Sequence, residues 1–259
     1  KQCCSGHLQR HPLRNVIMEN KRYGFTTGSC AAAASKAAAY MLLLGKTKET
    51  IVIDTPKGIQ FNAEILDVSR SENSVSCAVK KDGGDDPDVT TGTLVYSKVI
   101  ISDEYDSPKT GAEIIIDGGI GIGRVTKPGL DQPVGNAAIN RVPRQMIEKE
   151  VREVCELADF KGRLLVEIYM PDGREIAEKT FNKRLGIEGG LSVLGTSGIV
   201  EPMSEQALLD TIRVELRQHR AMGESIIAIT PGNYGQDYML RTFGFDLNYS
   251  VKCSNFIGD

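Results

Sequence analysis

A glycine run that no helix can follow sets the tightest limit on how this chain folds. Residues 114–129 read IIIDGGIGIGRVTKPG, with Asp117 followed by Gly119, Gly121 and Gly123 at alternate positions. This is the D-x-G-x-G-x-G spacing of the first loop in Rossmann folds that hold S-adenosylmethionine (SAM). Such a loop needs a helix directly after its glycines, because the helix N-terminus faces the cofactor. Here the glycines lead into RVTKPGLDQPVG, where Pro128, Gly129, Pro133 and Gly135 forbid a helix. The next helical pattern starts only at Pro143. The motif therefore fails as a Rossmann loop. A strand entering a glycine loop and returning as extended chain is expected in its place.

The 259 residues suffice for one large domain or two modest ones, with 41% hydrophobic and 25% charged residues, as in ordinary globular proteins. A net charge of −3 leaves no basic excess of the kind nucleic-acid binding requires. No run of about 18 apolar residues marks a membrane span. Cys3, Cys4, Cys30, Cys77, Cys155 and Cys253 contain no CxxC pair. They fit reduced thiols in a cytoplasmic protein better than disulfides or a zinc site. With His7, His11 and His219 alone, no histidine metal centre or hydrolytic triad is expected. Residues 1–17 lack the apolar core of a signal peptide. Residues 1–21 accordingly read as a disordered extension, with Met18 a candidate initiator.

FTTGSCAAAASKAAAYMLLLG reads as a helix capped by Thr27 or Ser29, propagated by alanine and ended by Gly45. So many small side chains imply a face lying close against a sheet. TIVIDTPKGIQFNAEILDVS, SVSCAVKK, LVYSKVIISD and AEIIIDGG carry strand patterns. In PRQMIEKEVREVCELA, Met146, Ile147, Val151, Val154 and Leu157 recur at helical spacing. RLLVEIYMPDGREIAEKT reads as a hairpin turning at Pro171-Asp172-Gly173. A long helix is expected from Ser204 to about Met222. Beyond Gly223, strand, helix and strand alternate, and Ser254 then caps a further helix. That alternation predicts a parallel α/β unit. The expected architecture is an α+β domain over residues 22–222, then the start of an α/β domain over 223–259 that is C-terminally incomplete.

Four loops are denser than turns require. TTGSC places Thr26, Thr27 and Ser29 at a helix start, where free backbone N–H groups and the helix dipole can attract an anion. Cys30 there reads as a small packing residue. KKDGGDDPDVTTG gathers Asp82, Asp85, Asp86 and Asp88, which could serve acid–base work or bind a hard cation, though without EF-hand order. The glycine run, flanked by Arg124 and Lys127, could approach a ligand closely through Gly119, Gly121 and Gly123. Gly195, Thr196, Ser197 and Gly198 follow a short apolar strand shortly before a helix, an arrangement that suits a nucleotide or adenosyl group.

Together, RYGFTTGSCAAAASKAA, KKDGGDDPDVTTG, GGIGIGRVTKPGL, GNAAINRVPRQMI, GTSGIVEPMSEQA and TPGNYG resemble the CbiD family, from about Arg22 to Asp259. These are the cobalt-precorrin-5B (C1)-methyltransferases of anaerobic cobalamin biosynthesis, whose members usually continue further. The resemblance implies SAM-dependent methylation of ring carbon C1, giving cobalt-precorrin-6A, with cobalt present only in the substrate. Thr91 stands where many members have histidine, so no role is carried over to it. A macrocycle bearing many carboxylates calls for cations, and Arg124, Lys127, Arg141 and Arg144, with Lys183 and Arg184, sit in or beside glycine- or proline-rich loops as candidates for that grip. Thr26, Thr27 and Ser29 join them as substrate contacts, and the acidic loop would manage proton balance or sit near the sulfonium. Gly195–Gly198, with Gly119, Gly121 and Gly123, are the cofactor candidates, and the glycine run is expected to line the macrocycle cleft. The alternatives are a nucleotide- or phosphate-binding transferase and a non-catalytic corrinoid-binding protein.

Overall fold

The structure, a computed structural model, describes residues 21–102, 111–245, 250–256 and 258. The N-terminal extension lies outside these residues except for Lys21, and so do Cys3, Cys4, His7, His11 and Met18.

A short strand β1 (Gly24–Phe25) leads into helix α1 (Thr27–Leu44). The cap is Thr26, not Thr27 or Ser29: its extended backbone places Oγ1 to accept the Ser29 N–H at 3.2 Å. Gly45, at φ 70°, ends the helix as expected. Its alanines let α1 be buried on nearly every side, Ala31–Ala34 and Ala37–Ala39 being fully enclosed. A hairpin of β2 (Thr50–Asp54) and β3 (Gln60–Glu64) follows, then β4 (Leu66–Arg70), β5 (Ser74–Lys80), β6 (Leu94–Ser102) and β7 (Glu113–Gly118). Next come β8 (Arg124–Val125), α2 (Arg141–Leu157) and β9 (Arg163–Tyr169).

The main sheet runs β4-β5-β6-β9-β7, antiparallel except where β7 lies parallel to β9. Strand alternation turns Val75, Cys77 and Val79, Val95 and Val99, and Leu164, Val166 and Ile168 into the core. Against that face pack α1 and α2, which also pack on each other. Four of the five stripe residues expected in α2 are buried, but Leu157 at its end is exposed.

The expected hairpin after Tyr169 does not form. Both edges of β9 are occupied, by β6 and β7, so no edge is left for a returning strand. The chain turns instead into a short helix α3 (Gly173–Ala177). Small strands β10 (Ile187–Glu188) and β11 (Ile199–Val200) then pair with β8 and β1. Helix α4 (Glu205–Ala221) starts at its expected cap, Ser204. β12 (Ile229–Thr230), α5 (Asn233–Phe243) and β13 (Val251–Lys252) form a parallel β-α-β unit. Ser254 sits at φ 50°, not in the extended conformation of a helix cap. Among the described residues the fold is mixed α/β, and its main five-stranded sheet is largely antiparallel, unlike a Rossmann sheet.

Candidate functional site

The glycine run behaves as expected in backbone: β7 enters it, β8 leaves it, and no helix follows before α2. Its environment is packed. The Gly119 N–H donates to Ile168 O at 2.8 Å, and the Gly123 N–H donates to Leu191 O at 2.8 Å. Gly121 O accepts from the Leu191 N–H at 2.8 Å. A Cβ on Gly121, at φ 76°, would fall 1.7 Å from Met170 O, and one on Gly123 would fall 2.4 Å from the Ile187 side chain. The bare backbone here is approached closely by the Met170 carbonyl and by the Ile187 and Glu167 side chains.

The cations beside it are also engaged. Arg124 forks onto Asp117 at 2.7 and 2.8 Å and reaches Gly118 O at 2.8 Å. Burial opposes ionisation of Asp117, but these bonds outweigh it and hold the carboxyl below its usual range. Arg144 donates to Ile139 O at 2.9 Å, Ile116 O at 2.8 Å and Ala137 O at 3.4 Å. Lys127 lays its stem on Gly186 and reaches Arg184 O at 3.4 Å. Arg141 is exposed, and its backbone N–H is held by Asp131.

A cavity of about 360 Å³ opens elsewhere, at the start of α1. Thr26, Thr27 and Gly195 line it, together with Lys81, Asp88, Thr90, Asn182 and Ser192. Leu191, Leu194, Val200 and Phe181 give it apolar walls, and Thr211 of α4 closes one side. Hydrogen bonds hold this corner together: Gly28 N–H to Leu194 O at 3.0 Å, Thr26 N–H to Gly198 O at 3.1 Å, and Ser29 Oγ to Gly198 O at 2.7 Å. Gly195, at φ 140°, lies so close to Thr26 that a Cβ would meet its Oγ1 at 2.2 Å. The loop 195–198 therefore sits over the α1 N-terminus. Its own next helix is α4, beyond β11.

Of the other candidates, Ser29, Thr196, Ser197 and Gly198 do not line the cavity. Three of the four loop aspartates are tied to backbone or side chains outside it. Asp82 pairs with Arg22, Asp85 accepts the Arg22 N–H at 2.7 Å, and Asp86 accepts the Met203 N–H at 3.0 Å. Only Asp88 faces the cavity, where it pairs with Lys81 and takes the Thr90 N–H at 2.8 Å and Oγ1–H at 2.7 Å. Burial works against the Asp88 charge, but Lys81 and Thr90 prevail, and the carboxyl stays below the usual carboxylate range. Burial pushes the neighbouring Cys30 thiol up to about 12, in keeping with a packing residue. Among the described residues no helix is long and apolar enough to cross a membrane.

Lys81, with its side chain 1% exposed, is the residue that sequence reasoning overlooked. The signal was present in strand parity: the inward series Val75, Cys77, Val79 reaches Lys81 two positions on. Asn182, buried behind Phe181 with its amide on Gly190 O at 3.3 Å, carried no signal of that kind.

Fold and site define a mixed α/β protein whose cavity is built at the N-terminus of a buried alanine helix. The chain belongs to the CbiD family, whose profile matches residues 15–202. It is 52% identical over 246 residues to the cobalt-precorrin-5B C(1)-methyltransferase of Ruminiclostridium cellulolyticum, an alignment covering 94% of this chain and 62% of that protein. It is 49% identical over 247 residues to the protein of the same name from Alkaliphilus metalliredigens, covering 95% and 63%. The chain thus spans just under two thirds of the length of these relatives. The crystal structure of the cobalamin biosynthesis protein CbiD from Archaeoglobus fulgidus superposes with a TM-score of 0.53 at 28% identity, over 92% of this chain and 72% of that one.

Proposed function

We propose that this chain serves SAM-dependent methylation of C1 of cobalt-precorrin-5B to cobalt-precorrin-6A, with its cavity holding the methyl donor. The size and lining of the cavity carry this reading. At about 360 Å³ it falls at the small end of ligand sites, which span about 300–1,000 Å³. That suits an adenosyl group on apolar walls with a few polar contacts, and is too small for a cobalt-bearing macrocycle. The macrocycle would lie across the mouth, where Phe181, Leu194 and Val89 leave large apolar surfaces exposed. Arg141, and Lys183 on the loop that carries Asn182, are exposed cations for its carboxylates. Arg124 and Arg144 are less suited, because their forks are already engaged.

Methyl transfer from a sulfonium is an in-line displacement, so the protein's work is alignment and exclusion of water. Thr26, Thr27, Asn182 and Ser192 supply orienting contacts, and Leu191, Leu194 and Val200 keep water out. No protein nucleophile or metal is assigned, and cobalt enters only with the substrate. We also propose a division near Gly223, with residues 22–222 as an α+β part and the β12-α5-β13 unit as the opening of an α/β part.

Calorimetric titration with S-adenosylhomocysteine and with ATP·Mg tests the donor reading, and transfer of labelled methyl to cobalt-precorrin-5B tests the reaction. S-adenosylhomocysteine is expected to bind and ATP·Mg not to. The opposite pattern would favour a phosphate-binding transferase. Binding of the corrinoid without methyl transfer would favour a non-catalytic carrier.

A further inference from the structure

The cavity contains one feature that an adenosyl pocket does not require: a charge pair whose lysine is buried. Lys81 is 2% exposed, continues the inward row of β5 and pairs with Asp88. An ammonium carries three N–H donors. Among the described residues, Asp88 Oδ2 is the single acceptor that Lys81 Nζ meets. Asp88 takes both Thr90 bonds on Oδ1, so Oδ2 keeps a lone pair, and its side chain remains 27% exposed. The spare donors of a buried ammonium and a spare acceptor at the cavity surface thus stand side by side. Unmet polar capacity in such a place is costly unless a ligand or ordered water meets it.

We infer that the Lys81–Asp88 pair binds the zwitterionic amino-acid end of the donor, with Lys81 donating to its α-carboxylate and Asp88 accepting from its α-ammonium. The assignment rests on the donor reading of the cavity and adds the residues that select the donor's head. The pair is neutral overall, so a ligand end bearing one net charge would leave an unbalanced charge in a low-dielectric corner. A zwitterion adds none and satisfies both partners. The apolar walls of Leu191, Leu194 and Val200 then remain for the adenosyl portion. In this arrangement Asp88 and Lys81 position the donor and take no part in bond making.

Three probes that differ only at the head test this: S-adenosylhomocysteine, its desamino analogue, and 5′-methylthioadenosine, which has no head. The protein used is the double variant Lys81→Met/Asp88→Asn, because removing both charges strands neither. It should bind S-adenosylhomocysteine about tenfold or more weakly, the worth of a charged hydrogen bond, with methylthioadenosine affinity retained. Asp88→Asn alone should weaken S-adenosylhomocysteine but not the desamino analogue. Unchanged S-adenosylhomocysteine affinity, or equal weakening of all three probes, would overturn the assignment while leaving the cavity as the donor site. If the unaltered protein binds none of them, the donor reading itself falls and this assignment with it.

Discussion

Arg144 is held by three backbone carbonyls, those of Ile116, Ala137 and Ile139, and so ties β7 to the chain leading into α2. Burial lowers the pKa of this guanidinium, an environment that tolerates the charge only because its donors are met. Arg144→Met keeps the stem and removes this donor from the Ile116 and Ile139 carbonyls, while Ala137 O keeps the Ile139 N–H at 2.7 Å. It should cost about 2–4 kcal/mol of stability, since a charged hydrogen bond is worth about 1.5–3 kcal/mol. Donor affinity of the folded fraction should not change. Arg144→Lys should recover only part of the loss, because one ammonium cannot reproduce the fork. Urea unfolding beside S-adenosylhomocysteine titration measures both, and a variant that keeps full stability but loses affinity for cobalt-precorrin-5B would restore the substrate role. The sequence marks Arg124 and Arg144 as arginines near glycine loops. It does not reveal that Asp117 and four carbonyls occupy them first, because that depends on how β7, β8 and α2 meet. Thr26, Thr27, Asp88 and Gly195 were legible for the opposite reason. Local chemistry, a helix cap, a hydroxyl-bearing turn and a glycine at positive φ, fixes where each can sit.

Among the elements, α1 shows how far pattern carries. Its alanines indicate close approach, and the structure answers with sheet on one side and α2 on the other. What they cannot indicate is the ion pair crossing that contact, Lys36 Nζ to Glu150 Oε2 at 2.7 Å, with Glu150 only 2% exposed. Burial pulls the Lys36 pKa down, and hydrogen bonds to Glu150 and Glu153 more than offset it, leaving it raised. A raised pKa contributes stability that is fully present below the unfolded lysine value, about 10.4, and is lost as pH climbs through the folded one. Lys36→Met should therefore cost about 3 kcal/mol at neutral pH, leaving Glu150 with Lys149 at 3.6 Å. The gap between the two proteins should narrow above about pH 10.4, as the unmodified protein loses the same charge. Denaturant midpoints across pH 7–11 test the sign (about these limits for lysine titration), and a gap independent of pH would show that packing of the lysine stem, not its charge, is what matters. The β9–α3 junction shows where pattern misleads. Pro171-Asp172-Gly173 is a good hairpin turn, but a hairpin needs a free edge, and β9 has none once β7 has paired with it from far back in the chain.

Across the whole molecule, the part before Ser204 and the part after it are joined by few but well-placed bonds. Arg184 Nη2 donates to Ser250 O at 2.6 Å and lies 3.4 Å from Glu215 Oε2 on α4. Gln218 Nε2 donates to Leu185 O, and Gly129 lets α4 approach so closely that a Cβ would lie 2.8 Å from Gln218 Cα. The neighbours of Arg184 include Asn182 and Leu185 of the cavity, and α4 contributes Thr211 to it. The seating of α4 and β13 is thus coupled to the wall that would hold the donor. Arg184→Met should release the Ser250 carbonyl and the Glu215 carboxylate together, a loss of about 1.5–3 kcal/mol confined to this junction. Hydrogen exchange should then quicken by about tenfold or more in α4 and β13, while the amides of β5, β6 and β9 keep their protection. S-adenosylhomocysteine affinity should fall by a smaller factor, since one wall loosens and the remainder of the lining stands. If exchange quickens uniformly through the main sheet, Arg184 supports the whole fold and the junction is not a separable unit. If exchange changes only in α4 and β13 and binding is untouched, the cavity does not depend on that wall, and Thr211 is only a neighbour of the ligand site.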